Sequence, residues 1–239
     1  MCGRFTLRTP MSVLIEQFDL ARRSAASSES QLRLFEPRYN IAPTQSVWAV
    51  RNSPADDQRE AVQLHWGLIP PWAKEAAIGN RMINARAETV AEKPSFRSAL
   101  KRQRCLVLAD GYYEWQKTGG RTKQPYYFHR EGDQAFAFAG LWERWRDKSA
   151  DDSNDASTIE SCTIITTTPN RLAATVHDRM PVILDEADYD LWLDRDEQDA
   201  ERLRPLLAPL ADEDFLIAEP VSTFVNKPTS DGPACIEPL

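Results

Sequence analysis

The sequence is poor in the residues from which metal centres and disulfide frameworks are made. Its four cysteines (Cys2, Cys105, Cys162, Cys235) stand far apart with no C-x-x-C, and its three histidines (His65, His129, His177) form no ligand pair. This spacing argues against a zinc site and a stapled secreted scaffold, so no metal and no cofactor are expected. Long apolar runs are missing too: no window approaches the roughly 18 residues of a membrane span, and no basic-then-apolar leader opens the chain. A cytoplasmic protein with no membrane partner is expected. Neither an internal repeat nor a long linker divides the 239 residues, which can bury an ample core, so one domain over 1–239 is expected.

Charge is plentiful and unevenly placed. Beneath a net charge of −7, residues 1–130 hold 20 Lys and Arg against 12 Asp and Glu, whereas residues 131–239 hold 9 against 24. A basic front and an acidic rear suit a protein that meets a polyanion on one face, although such runs are also what solvated surface looks like.

Local patterns predict many short strands. Thr9-Pro10 reads as an N-cap and first helical residue, with Val13, Leu14, Ile15, Phe18 and Leu20 tracing an apolar face to about residue 20. Residues 21–30 read as a loop. Strands are predicted at 47–50, 62–68, 105–109, 125–130, 134–142, 162–168, 182–184 and 221–225, and helices at 94–102, 169–176, 185–193 (with Asp185 as N-cap) and 197–207. The segment 147–160 is acidic and reads as a solvated hairpin loop; 226–239 reads as a short tail. Together these give an α+β fold with an antiparallel, barrel-like β-sheet core and peripheral short helices.

Four residues stand out for their chemistry. Removal of Met1 would leave Cys2 with both an α-amine and a thiol. An α-amine titrates near about 7.7–8.0 against about 10.4 for lysine, so it is a ready nucleophile for carbonyls, and the adjacent sulfur can close a five-membered thiazolidine. Position alone leaves open that Cys2 is a small buried residue at a strand start. Glu114, set among Tyr112, Tyr113 and Trp115, is an acid liable to desolvation and so to a raised pKa; the alternative is an exposed glutamate at a strand end. His177 is the only histidine in a polar cluster. Asn84 offers an amide to position a substrate. Trp72, following Pro70-Pro71, is either a platform for a base or a lid on the core. Arg81, Arg86, Arg97, Lys101, Arg102 and Arg104 form the densest basic zone.

Seven ordered segments, MCGRF at the start, RYNIAPTQ at 38–45, WGLIPPW at 66–72, INARAET at 83–89, GYYEW at 111–115, CTIITT at 162–167 and HDRMPVIL at 177–184, resemble the motifs of the SRAP (SOS response-associated peptidase) family of abasic-site processing proteins. The resemblance runs from residue 2 to about 184 and more weakly to Val225. It implies a monomeric SRAP domain that binds single-stranded DNA containing an abasic site, joins the nucleoid when that DNA is damaged, and crosslinks itself through Cys2 to the ring-opened aldehyde. Carried over by motif, Cys2 is the nucleophile, Asn84 positions, Glu114 does acid–base work and His177 assists ring opening or reversal. Arg4, Asn40, Arg86, Thr166 and Arg179 would contact phosphates or the sugar; Pro43, Trp72 and Phe96 would form the wedge or platform for flanking bases. At Trp72-Ala73 the pattern departs from a paired tryptophan, so one stacking surface is absent or supplied elsewhere. A lyase activity, a cysteine peptidase acting on its own Met1 or on other proteins, and a passive single-strand binder are the competing expectations.

Overall fold

The computed structural model describes residues 2–20, 35–120, 122–147 and 158–239. The predicted loop at 21–30 and most of the acidic segment 147–160 lie outside them. Among the described residues thirteen strands follow in chain order: β1 (Phe5–Leu7), β2 (Arg38–Ile41), β3 (Ser46–Asn52), β4 (Arg59–Trp66), β5 (Asn84–Arg86), β6 (Arg104–Ala109) and β7 (Gly111–Gln116). Then come β8 (Gln124–His129), β9 (Phe136–Arg146), β10 (Thr158–Thr167), β11 (Met180–Pro181), β12 (Ile183–Leu184) and β13 (Ile217–Pro220).

Strands β10, β4, β3, β6 and β9 pair in that order, and β9 pairs back onto β10, which closes a five-stranded barrel. A second sheet, ordered β13-β8-β7-β1-β2, packs against it. The contact is aromatic: Phe5 of β1 meets Trp66 of β4 edge-on at 5.1 Å between centroids and Phe138 of β9 at 5.8 Å. Residues of both sheets therefore share one buried cluster. β6 is buried on both faces because helix Tyr189–Leu193 covers its outside, with the Trp192 indole N–H donating to the Cys105 carbonyl. Sheet pairing is antiparallel except for two parallel pairs that period-two patterning does not reveal, β10 with β4 and β10 with β5. The latter sets Asn84 opposite Ile164 and Arg86 opposite Thr166.

Several expectations need correction. The first helix is Met11–Gln17, with Pro10 in the cap position and no side-chain cap. Thr9 instead directs its hydroxyl and backbone N–H to Asp110, a fully buried carboxylate. Asp185 makes no side-chain cap either, whereas Asp199 caps its helix by accepting from Glu201. The last strand is Ile217–Pro220, and Thr223–Asn226 is a 3-10 turn capped by Ser222. Arg104, assigned to the densest basic zone, is buried and donates to the carbonyls of Leu100, Lys101, Trp192 and Asp194, which tie two helix ends together. At the end of β4 the chain turns with Gly67 at φ +136, where a Cβ would meet the Gly79 carbonyl at 2.7 Å.

Candidate active site

The site lies on the seam between the two sheets. Cys2 precedes β1, Glu114 is in β7, Asn84 opens β5 beside the barrel strand β10, and His177 follows the short helix Arg171–Ala174 that β10 feeds. Strand order thus collects four residues spread over 175 positions of sequence. Asn84 donates from Nδ2 to the Cys2 carbonyl at 2.8 Å, pinning the main chain of that residue. The Asn84 Oδ1 is buried and has no hydrogen-bond partner among the described residues. Such an atom costs about 1–3 kcal/mol unless something else pairs with it.

The Cys2 side chain is fully buried. Burial pushes its thiol well above the ordinary range, the charge of Glu114 adds to that, and the Arg4 backbone N–H at the sulfur acts in the opposite sense. Glu114 is 3% exposed, and burial raises its carboxyl above the usual value while His177 pulls the other way. His177 Nε2 stands 3.9 Å from Glu114 Oε2. Its Nδ1 lies 3.1 Å from the Arg179 backbone nitrogen and 2.9 Å from Asp178 Oδ1. Nδ1 can accept from the one or donate to the other but not both, and Nε2 faces Glu114. The arrangement sets a buried acid between a solvent-side imidazole and a cysteine whose main chain is fixed.

A cationic edge adjoins these residues. Arg86 is exposed, next to buried Thr166 across the β5–β10 register. Arg179 donates to the Thr166 carbonyl at 2.6 Å and grips Glu88 with both terminal nitrogens, and this ion pair lowers the Glu88 pKa. Trp72 is 56% exposed, which answers the lid alternative. Ala73 next to it is buried, its carbonyl taking the Trp145 indole N–H at 2.8 Å, so no stacking surface exists at that position. Pro43 is half-buried in the turn whose Thr44 has φ +72.

Three predicted contacts sit otherwise than the motifs imply. Phe96 is buried in the core, because it precedes helix Arg97–Arg102 and its ring joins that helix's inner face; it offers no platform to a base. Asn40 is fully buried: its Oδ1 accepts from Arg4 at 2.8 Å and its Nδ2 donates to the carbonyls of Val225, Lys227 and Ser230. Arg4 also reaches the Val225 and Asn226 carbonyls and lies over the Trp115 ring. Both residues thus fasten the C-terminal segment, which sequence reading treated as a tail. Asp231 adds to this by receiving the Tyr39 backbone N–H and the Arg38 guanidinium. Glu88 and Trp115 were overlooked as members of this region, although both lie inside quoted motifs.

Comparison with known proteins agrees with the fold. The profile of the family described as SOS response associated peptidase (SRAP) matches residues 1–228. The chain is 41% identical over 237 residues to the abasic site processing protein YoqW of Bacillus subtilis, covering 99% of each. It is 31% identical to the abasic site processing protein HMCES of Mus musculus, covering all of this chain and 76% of that one. A crystal structure of a protein from Bacteroides thetaiotaomicron superposes with a TM-score of 0.82 at 27% identity, covering all of both chains. Matched over nearly its whole length in sequence and over all of it in fold, the chain belongs to the SRAP family.

Proposed function

We propose that the protein senses abasic sites in single-stranded DNA and seals them as a covalent thiazolidine through Cys2, once Met1 has been removed. The observation that carries this reading is the Cys2 main chain pinned by Asn84 beside a buried Glu114, whose carboxyl burial raises, with His177 behind it. The α-amine of Cys2 adds to C1′ of the open-chain sugar, forming a C–N bond. Glu114 gives its proton to the hydroxyl on that carbon, which leaves as water, and the iminium so formed loses its N–H proton to solvent, leaving an imine. The Cys2 sulfur then adds to the imine carbon and closes the ring. His177 renews the Glu114 proton and, run in reverse, serves ring opening or release.

Burial supports the amine-first order. A peptidase needs a thiolate ready before the substrate arrives, and both the burial of Cys2 and the charge of Glu114 act against one. The basic edge of Arg86 and Arg179 is proposed to hold the phosphates flanking the lesion, with Trp72 stacking on a neighbouring base. A monomer in the cytoplasm suffices for this chemistry. The test is a denaturing gel of the protein with three single strands: one with an abasic site, one with that aldehyde reduced to the alcohol, and one undamaged. A covalent product with the first strand alone is expected; product with the reduced strand, or with none, would overturn the reading.

A further inference from the structure

Resting on that reading, the geometry points to Tyr112 as a further catalytic residue: its hydroxyl donates a hydrogen bond to the Cys2 sulfur while the thiol closes the thiazolidine ring. Tyr112 and Glu114 are alternate residues of β7 and so present their side chains to the same face. Tyr112 stands opposite Phe5 of β1, the strand that Cys2 leads into, and its phenol is close enough to the Cys2 sulfur and the Glu114 carboxyl to feel the charge of each.

The ring is held tightly. It stacks on Phe128 at 4.8 Å and 7° and meets Phe138 edge-on at 6.1 Å, and the residue is fully buried. Yet its hydroxyl has no hydrogen-bond partner among the described residues. A core position of this kind calls for phenylalanine, because an unmatched buried hydroxyl is destabilising. The phenol is also kept neutral, first by burial and then by the negative charges that Cys2 and Glu114 would carry. It is therefore a donor, and a charge near it is that of the sulfur as it loses its proton.

That charge needs a donor. As the ring closes, the S–H bond breaks and its proton passes to the Glu114 carboxylate, which has already given its own proton to the departing water. The C–S bond forms, C=N becomes C–N, and the proton moves from Glu114 to the ring nitrogen. Nothing is oxidised or reduced and nothing leaves. Sulfur carries its charge in a pocket that disfavours it, where Arg4 supplies one backbone donor; the Tyr112 hydroxyl, unpartnered among the described residues before the reaction, is the second. The charged and titratable groups near the sulfur are thus Glu114 and Tyr112 from β7, with His177 behind Glu114, while the Asn84 amide of β5 holds the Cys2 carbonyl.

Tyr112→Phe removes the oxygen and keeps the ring, so its unfolding midpoint should equal or exceed that of the parent. Two readings test the assignment, using an abasic single-stranded oligonucleotide and iodoacetamide. Borohydride quenching during the crosslinking reaction traps the imine. The variant should form imine at the parental rate and convert it to thiazolidine about tenfold more slowly, as loss of one hydrogen bond to a charged group implies. Alkylation of Cys2 by iodoacetamide, read at its own peptide because three other thiols are present, should shift its pH profile upward by about one unit. Parental closure with a parental alkylation profile would overturn the role of Tyr112, as would equal losses in imine formation and strand binding. Should the parent itself form no covalent product, the crosslinking reading falls, and the alkylation profile still decides whether Tyr112 faces the sulfur.

Discussion

Arg4 and Asn40 share a 2.8 Å hydrogen bond and direct their remaining donors to carbonyls of the C-terminal segment, so that polar groups there are matched one to another. Two residues earlier, Cys2 sits near two groups that are not: Asn84 Oδ1 and the Tyr112 hydroxyl are buried without partners among the described residues. Glu114 beside them is an acid whose carboxyl burial holds above its ordinary pKa. Both clusters carry motif residues of the family, yet they differ in physical kind. A saturated cluster is a fastener, and breaking it costs stability. An unsaturated one has groups in reserve for a substrate, and breaking it costs reaction rate with little loss of fold.

The largest expected effect of this difference is on the reaction. Glu114→Gln should slow covalent capture by about a hundredfold, because general acid catalysis contributes on that order. Its affinity for an undamaged strand, measured by fluorescence anisotropy, should stay within twofold of the parent. The same substitution should raise stability at neutral pH. A carboxyl whose folded pKa lies above its unfolded one binds its proton more tightly in the folded state, so stability falls as pH climbs through that interval, and the amide does not titrate. Asn40→Ala reverses the pattern: about 3 kcal/mol is lost in urea unfolding, because the Lys227 and Ser230 carbonyls lose their donor, the Val225 carbonyl keeps only Arg4, and Arg4 loses one of its acceptors, while capture by the folded fraction persists.

A third case, in neither cluster, sharpens the comparison. Glu143 of β9 is buried, and burial pushes its carboxyl to about 7 despite a hydrogen bond from Gln103. Folded-state proton binding therefore exceeds that of the unfolded chain between the ordinary value of 4.5 and about 7, and stability declines across this window as pH rises. Glu143→Gln should abolish that slope and gain about 2 kcal/mol at pH 8, with nothing gained at pH 4. The smallest effect separates two aromatics that sequence reading grouped together. Trp72→Ala should weaken undamaged-strand binding by about 1–2 kcal/mol at unchanged stability. Phe96→Ala should do the opposite, leaving the binding of folded protein intact while the fold loses about 3–5 kcal/mol.

Much of this was legible before the fold was known. The α+β class and the positions of most strands follow from alternation such as Leu64 and Trp66 in β4, and Glu114 announced itself as an acid among aromatics. Other features depend on contacts far apart in sequence. Asn40 looks like a surface amide until residues 225–230 arrive beside it, and Arg104 reads as a free cation until two helix ends converge on it. The parallel pairing of β5 with β10, which assembles Asn84, Arg86 and Thr166, leaves no periodic mark in a three-residue strand. Phe96 was misread because one apolar residue beside a basic helix fits a wedge and a core anchor equally well.

The most direct measurement is the intact mass of the protein alone and after reaction with a single strand bearing one abasic site, alongside Cys2→Ala. The account predicts a protein lacking Met1, a product at the sum of the two masses less one water, and no product with Cys2→Ala. A protein that has lost Met1 and forms no adduct, or a Cys2→Ala variant that forms the same adduct, would contradict it.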